Sequence, residues 1–369
     1  MTKFVGNLVG YASSSYSDNG LYNIAQHFFL SSKKKWGPFA SGSVTSGTNV
    51  DTITVQNQGY DIKYHVFKSP GTLDITAKGE VGYTIIAGGG AGGQSYLYWS
   101  DTGGGGGGAG GMRTGRVSLD IGTYTVTVGS GGVGSPSTSA PTSGSPSSIS
   151  GPSNFTTITS AGGGRGGRWN LPNGFAPAYP VQPGGSGGGG PAHPAYNSGA
   201  TGNSPPVTPP QGNPGGDGKP YGGGGGGGAG GYGLNGTTSS DSKSFPTAMN
   251  GGIGREFGVY GFDSLPTSYG TPGLSPTGRW FAGGGGGGSG LTSPDPLVYG
   301  LGGYGGGGDG GVSRLPITYE LAATSGEDGL TNTGGGGGSP GSYTNPRQPN
   351  WLASGDGGPG IVIIGYVYQ

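Results

Sequence analysis

Helical and alternating patterns of apolar residues concentrate in the first 160 residues and the last ten. After the capping candidates Ser17, Asp18 and Asn19, apolar residues fall at Leu21, Ile24, Ala25 and Phe28, the spacing of one helical face, which predicts a short N-terminal helix. Lys33, Lys34 and Lys35 stand in its last turn, where positive charge suits the helix dipole, and Gly37-Pro38 stops it. The lysines read as a solvated helix end rather than a specific anionic contact.

Between 51 and 160 the pattern changes to strands. "DIKYHVF" (61–67), "TLDITA" (72–77), "GYTIIA" (82–87), "RTGRVSL" (113–119), "TYTVTV" (123–128) and "FTTITS" (155–160) are β-branched and aromatic runs bounded by Gly, Pro or Ser. They predict one small β-sandwich-like domain. The C-terminal "GIVIIGYVYQ" (360–369) carries an uninterrupted apolar run, which reads as a central strand returning to the same core.

Residues 161–359 have little of either pattern and are dominated by glycine. From the β-zone onward, glycine runs stand at 88–93, 103–111, 162–167, 184–190, 215–218, 222–233, 283–290, 302–311, 334–338 and 355–360. Three of them share the string GGGAGG, with Ala91, Ala109 and Ala229 in equivalent places. A flexible spacer has no reason to repeat that detail, so the runs read as copies of one structural unit.

Glycine loses more backbone freedom on folding than any other residue and has no side chain to bury. Ordered runs therefore need backbone hydrogen bonds and close backbone packing. The extended three-residue-per-turn polyproline II geometry, with ~3.1 Å rise, has no internal hydrogen bonds. Its peptide groups point outward, so several all-glycine helices side by side can satisfy one another. This predicts a polyglycine II helix bundle; the competing reading is ten flexible linkers. The segments between runs then become loops at the rod ends. They hold Trp169, Phe175, Tyr179, Tyr196, Phe257, Tyr260, Phe262, Tyr269, Trp280, Tyr299, Tyr343 and Trp351 among Asn, Ser, Thr and Pro, a composition suited to adaptable binding surfaces. Some of these aromatics are expected instead to cap the rods as small cores.

The expected class is thus mainly β and irregular. Its parts are an N-terminal region (1–50), a β-rich domain with the first glycine runs (51–160), a polyglycine II bundle with loops (161–359) and a C-terminal strand (360–369).

Composition narrows the function. Of 369 residues, 97 are Gly and 29 Pro, which taken alone would read as disorder. Yet only 9% are charged, 17 basic residues balance 17 acidic ones, and 10% are aromatic, unlike a disordered, self-repelling chain. The balance argues against nucleic acid, whose binding rests on an excess of Lys and Arg. No apolar run is long enough for membrane insertion or a secretory signal, and the absence of Cys removes disulfides and thiolate metal sites. His27, His65 and His193 lie in three different zones, so no metal centre or Ser/His/Asp constellation is expected. The four Glu residues offer no clear catalytic carboxylate pair; Glu256 with Asp263 is the nearest approach. G-x-G-x-x-G recurs by chance in a chain this rich in glycine. No enzymatic activity and no cofactor are expected.

The stretch "YTIIAGGGAGG", then "GGGGGGAGGMRTGRVSL" and "GTYTVTVGSGG", closed by "GDGGPGIVIIGY", resembles the glycine-rich domain found in tailed-phage tail-fibre proteins, those of cyanobacterial phages included. The wider alternation of glycine runs with aromatic loops is similar to tip adhesins of long tail fibres, in which polyglycine II rods carry receptor-contacting loops. "NGLYNIAQHFFLSSKKKWGP" resembles a short motif of phage virion proteins, with Gly37 intervening between Trp36 and Pro38. The resemblance implies a virion adhesin, made in the host cytoplasm and released by lysis without a signal peptide. Leu21, Ile24, Phe28, Phe29 and Trp36 would attach it to other tail or fibre proteins, and the loop aromatics would bind a host receptor, a glycan or an outer-membrane protein. A homotrimer is among the assemblies it allows. A purely structural tail or head-fibre protein and an ice-binding protein are the alternatives.

Overall fold

The computed structural model describes residues 40–57, 60–95, 103–136, 139–168, 179–192, 197–237, 249–258, 265–275, 278–290, 299–312, 324–342 and 352–368. The expected N-terminal helix and its Leu21, Ile24, Phe28, Phe29 and Trp36 lie outside them. The described residues contain strands, turns and extended glycine segments but no helix.

The strands make two five-stranded antiparallel sheets and a two-stranded one, β10 (Arg255–Glu256) with β11 (Trp280–Phe281). One five-stranded sheet runs β1 (Ser41–Ser46), β4 (Gly71–Ala77), β7 (Gly122–Thr127), β8 (Ser147–Ser150), β9 (Ile158–Ser160); the other runs β2 (Val50–Asn57), β3 (Tyr60–Phe67), β12 (Ile361–Tyr368), β5 (Gly79–Ile86), β6 (Met112–Leu119). Residues alternate between faces along a strand, so Leu73, Ile75, Tyr124 and Val126 of the first sheet meet Phe67, Val81, Ile85, Val362, Ile364 and Tyr366 of the second in one buried core. The opposite face of the second sheet is buried too: Ile62, Tyr64, Val66, Ile361, Ile363 and Val367 pack on Phe257, Tyr269 and Phe281. A strand covered on both faces reads as continuous hydrophobics, which explains "IVIIGYVY" in β12. Gly365, opposite Tyr64, is the exception; a Cβ there would stand 2.8 Å from the Tyr64 ring.

A polar relay crosses the sandwich. The buried His65 of β3 shares a hydrogen bond with Thr52 Oγ1 through Nδ1 (3.0 Å) and with Tyr366 Oη through Nε2 (2.9 Å). The Tyr366 hydroxyl donates to the Gly42 carbonyl at 2.8 Å and accepts from the Gly42 amide at 3.2 Å. Burial, with a smaller push from Lys63, lowers the pKa of His65 to about 4, so the imidazole is neutral in the folded protein near pH 7.

β5, β7 and β9 continue directly into glycine segments, while β6 and β12 emerge from them. Most bonds run between segments rather than within one; the runs 222–233 and 302–311 each double back once, where Gly228 donates to Gly231 and Gly307 to Gly303. In the 103–111 run, Gly105, Gly108 and Gly111 donate to Gly167, Gly164 and Ala161; Gly106 and Ala109 donate to Gly224 and Gly227; Gly107 and Gly110 donate to Gly337 and Gly334. Every third amide faces the same neighbour. Carbonyls of this run accept from three further segments, at Gly90 and Gly93, at Gly189 and Ala192, and at Gly285 and Gly288, so six segments surround it. A Cβ on Gly107 would lie 2.1 Å from the Gly90 carbonyl oxygen, and one on Gly226 1.9 Å from that of Gly107. Glycine is therefore required by backbone proximity. Ala91, Ala109 and Ala229 are fully buried, at places in the repeated string where the packing admits a methyl.

Side chains of Asn and Asp close the bundle's outer edges. Asn250 Oδ1 accepts from the Leu301 amide, Asn235 Oδ1 from Asp217, Asp309 Oδ1 from Gly302 and Asp356 Oδ1 from Gly134, at 2.6–2.9 Å. Amides at the edge lack another rod to bond, and these short polar side chains take its place.

The zones of the sequence are not zones in space. The 103–111 run, which stands among the strands in sequence, lies at the middle of the bundle, and β1 (Ser41–Ser46) belongs to the sandwich.

Candidate functional site

Chain direction gives the molecule two unlike ends. β5, β9 and the segments that follow them run away from the sandwich, and hydrogen bonds between neighbours show how far each extends. Arg168 exchanges backbone bonds with Tyr179, Ala192 donates to Gly103, Tyr221 to Thr237, Gly290 to Tyr221, Thr324 to Val312 and Ser342 to Ser289. These contacts mark one free end, remote from the sheets. The described chain stops there at residues 95, 168, 192, 237, 290, 312 and 342, and it resumes nearby at 103, 179, 197, 249, 299, 324 and 352. Seven intervening segments therefore depart from the same end of the bundle. Two further connections stand there, the stretch 133–142, described except for 137–138, whose Ser135 carbonyl accepts from Gln94, and the turn Lys219-Pro220-Tyr221.

At the opposite extreme, the far end of the sandwich, Ser41 pairs with Ala77 and Tyr368 with Asp61. The link to residues 1–39 leaves from that extreme, and the C-terminus lies at it.

The base of the free end is a polar platform. Buried Gln94 donates through Nε2 to the Ser135 carbonyl (2.8 Å) and accepts from Arg168 Nη1 (2.8 Å). Ser95 Oγ donates to the Pro340 carbonyl at 2.5 Å and accepts from the Gly104 amide at 2.8 Å. The Arg168 guanidinium lies 4.3 Å from the Tyr179 ring centroid and that of Arg165 5.8 Å from the same ring, a cation–π arrangement. Desolvation lowers the pKa of both arginines. Composition had marked Tyr179 but gave no signal for its two arginine partners, which belong to the glycine segment before it.

The aromatics singled out from sequence separate into groups. Trp169, Phe175, Tyr196, Tyr343 and Trp351 lie outside the described residues, in segments that leave from the free end. Tyr179 and Tyr299 are half-buried where such segments return. Phe257, Tyr269 and Trp280 are buried at the opposite, sheet-facing end of the bundle. Phe257 packs edge-on against Tyr64 with ring centroids 6.1 Å apart. Tyr269 donates to Asp51 Oδ2 at 2.5 Å, where Lys68 Nζ also sits at 2.9 Å; both partners hold the Asp51 carboxyl below its usual range. Phe257 and Tyr269 thus belong to the cluster that packs on the sheet, and Trp280 is buried beside Phe281 of that cluster. Tyr260 and Phe262 lie outside the described residues, in a segment flanked by Phe257 and Leu265 of that same buried cluster. Phe257, Leu265, Tyr269 and Phe281 thus lie at the sheet rather than in loops at the rod ends.

Among the described residues, no three His, Asp or Glu side chains gather as a metal site, and no helix is long and apolar enough to cross a membrane. The model of a glycine-rich domain family matches residues 68–367. No curated protein matches the chain.

Proposed function

The chain belongs to the glycine-rich domain family, and on that premise we propose that it is a non-enzymatic virion adhesin of a tailed phage. Its N-terminal segment docks on the tail or fibre. Its free-end loops contact a host surface receptor, a glycan or an outer-membrane protein. The observation that carries this reading is the polarity of the molecule: seven loop segments rich in Tyr, Trp, Pro and Asn leave from one end, while the link to residues 1–39 leaves from the other. Binding residues placed on loops above a rigid scaffold are a general solution to recognition.

The scaffold in this reading is a polyglycine II bundle. Its support is the period of three in the hydrogen bonding: in a helix with three residues per turn, every third amide points to the same neighbour. At ~3.1 Å per residue, a nine-residue rod spans roughly 28 Å, enough to hold the loops well clear of the sandwich.

Adsorption tests the function. Purified protein is expected to label host cells and to block phage adsorption. Replacing 169–178 and 343–351 by Gly-Ser linkers should abolish both effects while leaving the unfolding transition in place. Labelling unchanged by the replacement would overturn the adhesin reading in favour of a structural tail or head-fibre component. The segment 257–281 is unsuitable for deletion, because Phe257, Tyr269, Trp280 and Phe281 belong to the folded core.

A further inference from the structure

One flank of the bundle carries large apolar side chains where neighbouring surface is mostly glycine. Three consecutive outer rods lie side by side there: Leu234 donates its amide to Asn250 O, Gly251 to Leu301 O and Gly254 to Tyr304 O. From these rods Tyr232 (67% exposed), Leu234 (43%), Ile253 (36%), Leu301 (47%) and Tyr304 (51%) face solvent. The period of three sets their register. Tyr232, Ile253 and Tyr304 come one from each rod, and Asn235, Asn250 and Leu301 stand one turn further along. The two asparagines are already engaged with neighbouring backbone amides.

We propose that this flank is a self-association face, and that it pairs with the same flank of a second copy of this chain. Area and chemistry select that occupant. The five side chains expose on the order of 500 Å² of mostly apolar surface, at the size where a patch on a soluble protein marks an interaction site. Homodimer interfaces are about two-thirds apolar, so a patch of this size corresponds to roughly 800 Å² per partner, what a standard stable pair buries. Two tyrosines among aliphatics supply the rigid aromatic anchors such interfaces rely on. All five side chains are uncharged, so a face like this can meet its own copy about a two-fold axis without like-charge repulsion. An axis parallel to the rods keeps both free ends pointing the same way. The pairing does not depend on the adhesin reading, and its test involves no host cell.

Sedimentation velocity on the full chain decides it. The wild type is expected to be a dimer at micromolar concentration. Tyr232→Ser with Tyr304→Ser should raise the dissociation constant at least about 100-fold. Both residues are exposed, so each protomer should keep its fold, read as an unchanged far-UV circular dichroism spectrum. Leu274→Ser, at an equally exposed apolar residue outside this flank, should leave the dimer intact. A monomeric wild type at about 100 µM, far above the dissociation constant of an interface of this size, would overturn the proposal. So would an oligomer that the double variant leaves unchanged.

Discussion

Gly107→Ala is expected to prevent folding, although it adds a single methyl group. Gly107 lies in the run with six neighbours, and its Cβ would stand 2.1 Å from the Gly90 carbonyl oxygen and 2.8 Å from the Ala91 carbonyl carbon. Ordinary contact begins at 3.4 Å, so the two rods must separate by more than an ångström. That separation opens the pairs Gly90 N to Gly108 O at 2.8 Å, Gly93 N to Gly105 O at 2.7 Å and Ala87 N to Gly111 O at 3.1 Å. Each buried peptide group left unpaired costs about 1–3 kcal/mol, and the other five neighbours leave no slack in a close-packed interior. The predicted loss exceeds about 4 kcal/mol, a large share of the stability of an ordinary domain. Gly231→Ala provides the comparison. Its Cβ would first meet the Ile253 side chain at 3.0 Å, which can move, so the expected cost is about 1 kcal/mol or less. Soluble yield and urea unfolding of the two variants measure the difference. Equal tolerance at both positions would mean that the glycine runs are spacers.

Acid should destabilise the sandwich through His65. Its pKa is about 4 in the folded protein, against an ordinary 6.5, because burial disfavours the charged ring. In the unfolded chain the imidazole takes up its proton first. Stability is therefore fully present above about pH 6.5 and is lost as pH falls towards 4. The depression corresponds to roughly 3 kcal/mol between those limits. His65→Gln keeps a polar group at the site without titrating, so it should be less stable at pH 7 and should lose the pH dependence in that window. Asp51, whose carboxyl is held below its usual range, acts in the same direction, but its contribution is lost only at lower pH, below the ordinary carboxylate range. Urea midpoints at pH 7, 5.5 and 4.5 separate the variant from the wild type. A wild-type slope retained in His65→Gln would assign the acid sensitivity to other groups.

The β-rich part of the molecule was legible because its side chains alternate. "DIKYHVF", "TLDITA" and "GYTIIA" overlap strands β3, β4 and β5, whose inward residues are large and apolar. β1 (SGSVTS) and β8 (SSIS) went unnoticed because serine dominates them, and β8 is only four residues long; β2 (VDTITVQN) was missed too although it alternates, its Thr, Gln and Asn leaving only three large apolar residues on an edge strand. The spacing of glycine runs was also visible. Which run lies beside which was not, since a residue without a side chain leaves no record of its neighbour. Only the interrupting residues do so: buried alanines, and edge residues such as Asn250 and Asp309 whose oxygens bind an adjacent rod. The candidate site was half legible for a related reason. Aromatic, proline-rich composition is shared by loops and by small cores, so Tyr179 could not be told from Tyr269 until the direction of each rod placed one at the free end and the other against the sheet.

Hydrogen exchange of the glycine amides tests the central claim most directly, because that claim is that these runs form one cooperatively packed body. Amides in 105–111, 222–229 and 282–288 each point to a neighbouring backbone carbonyl. They are expected to exchange only through global unfolding, with protection on the order of 10⁴-fold or more, like core strands β3 and β12. Exchange at the rate of an unstructured chain in those runs, with β3 and β12 still protected, would contradict it.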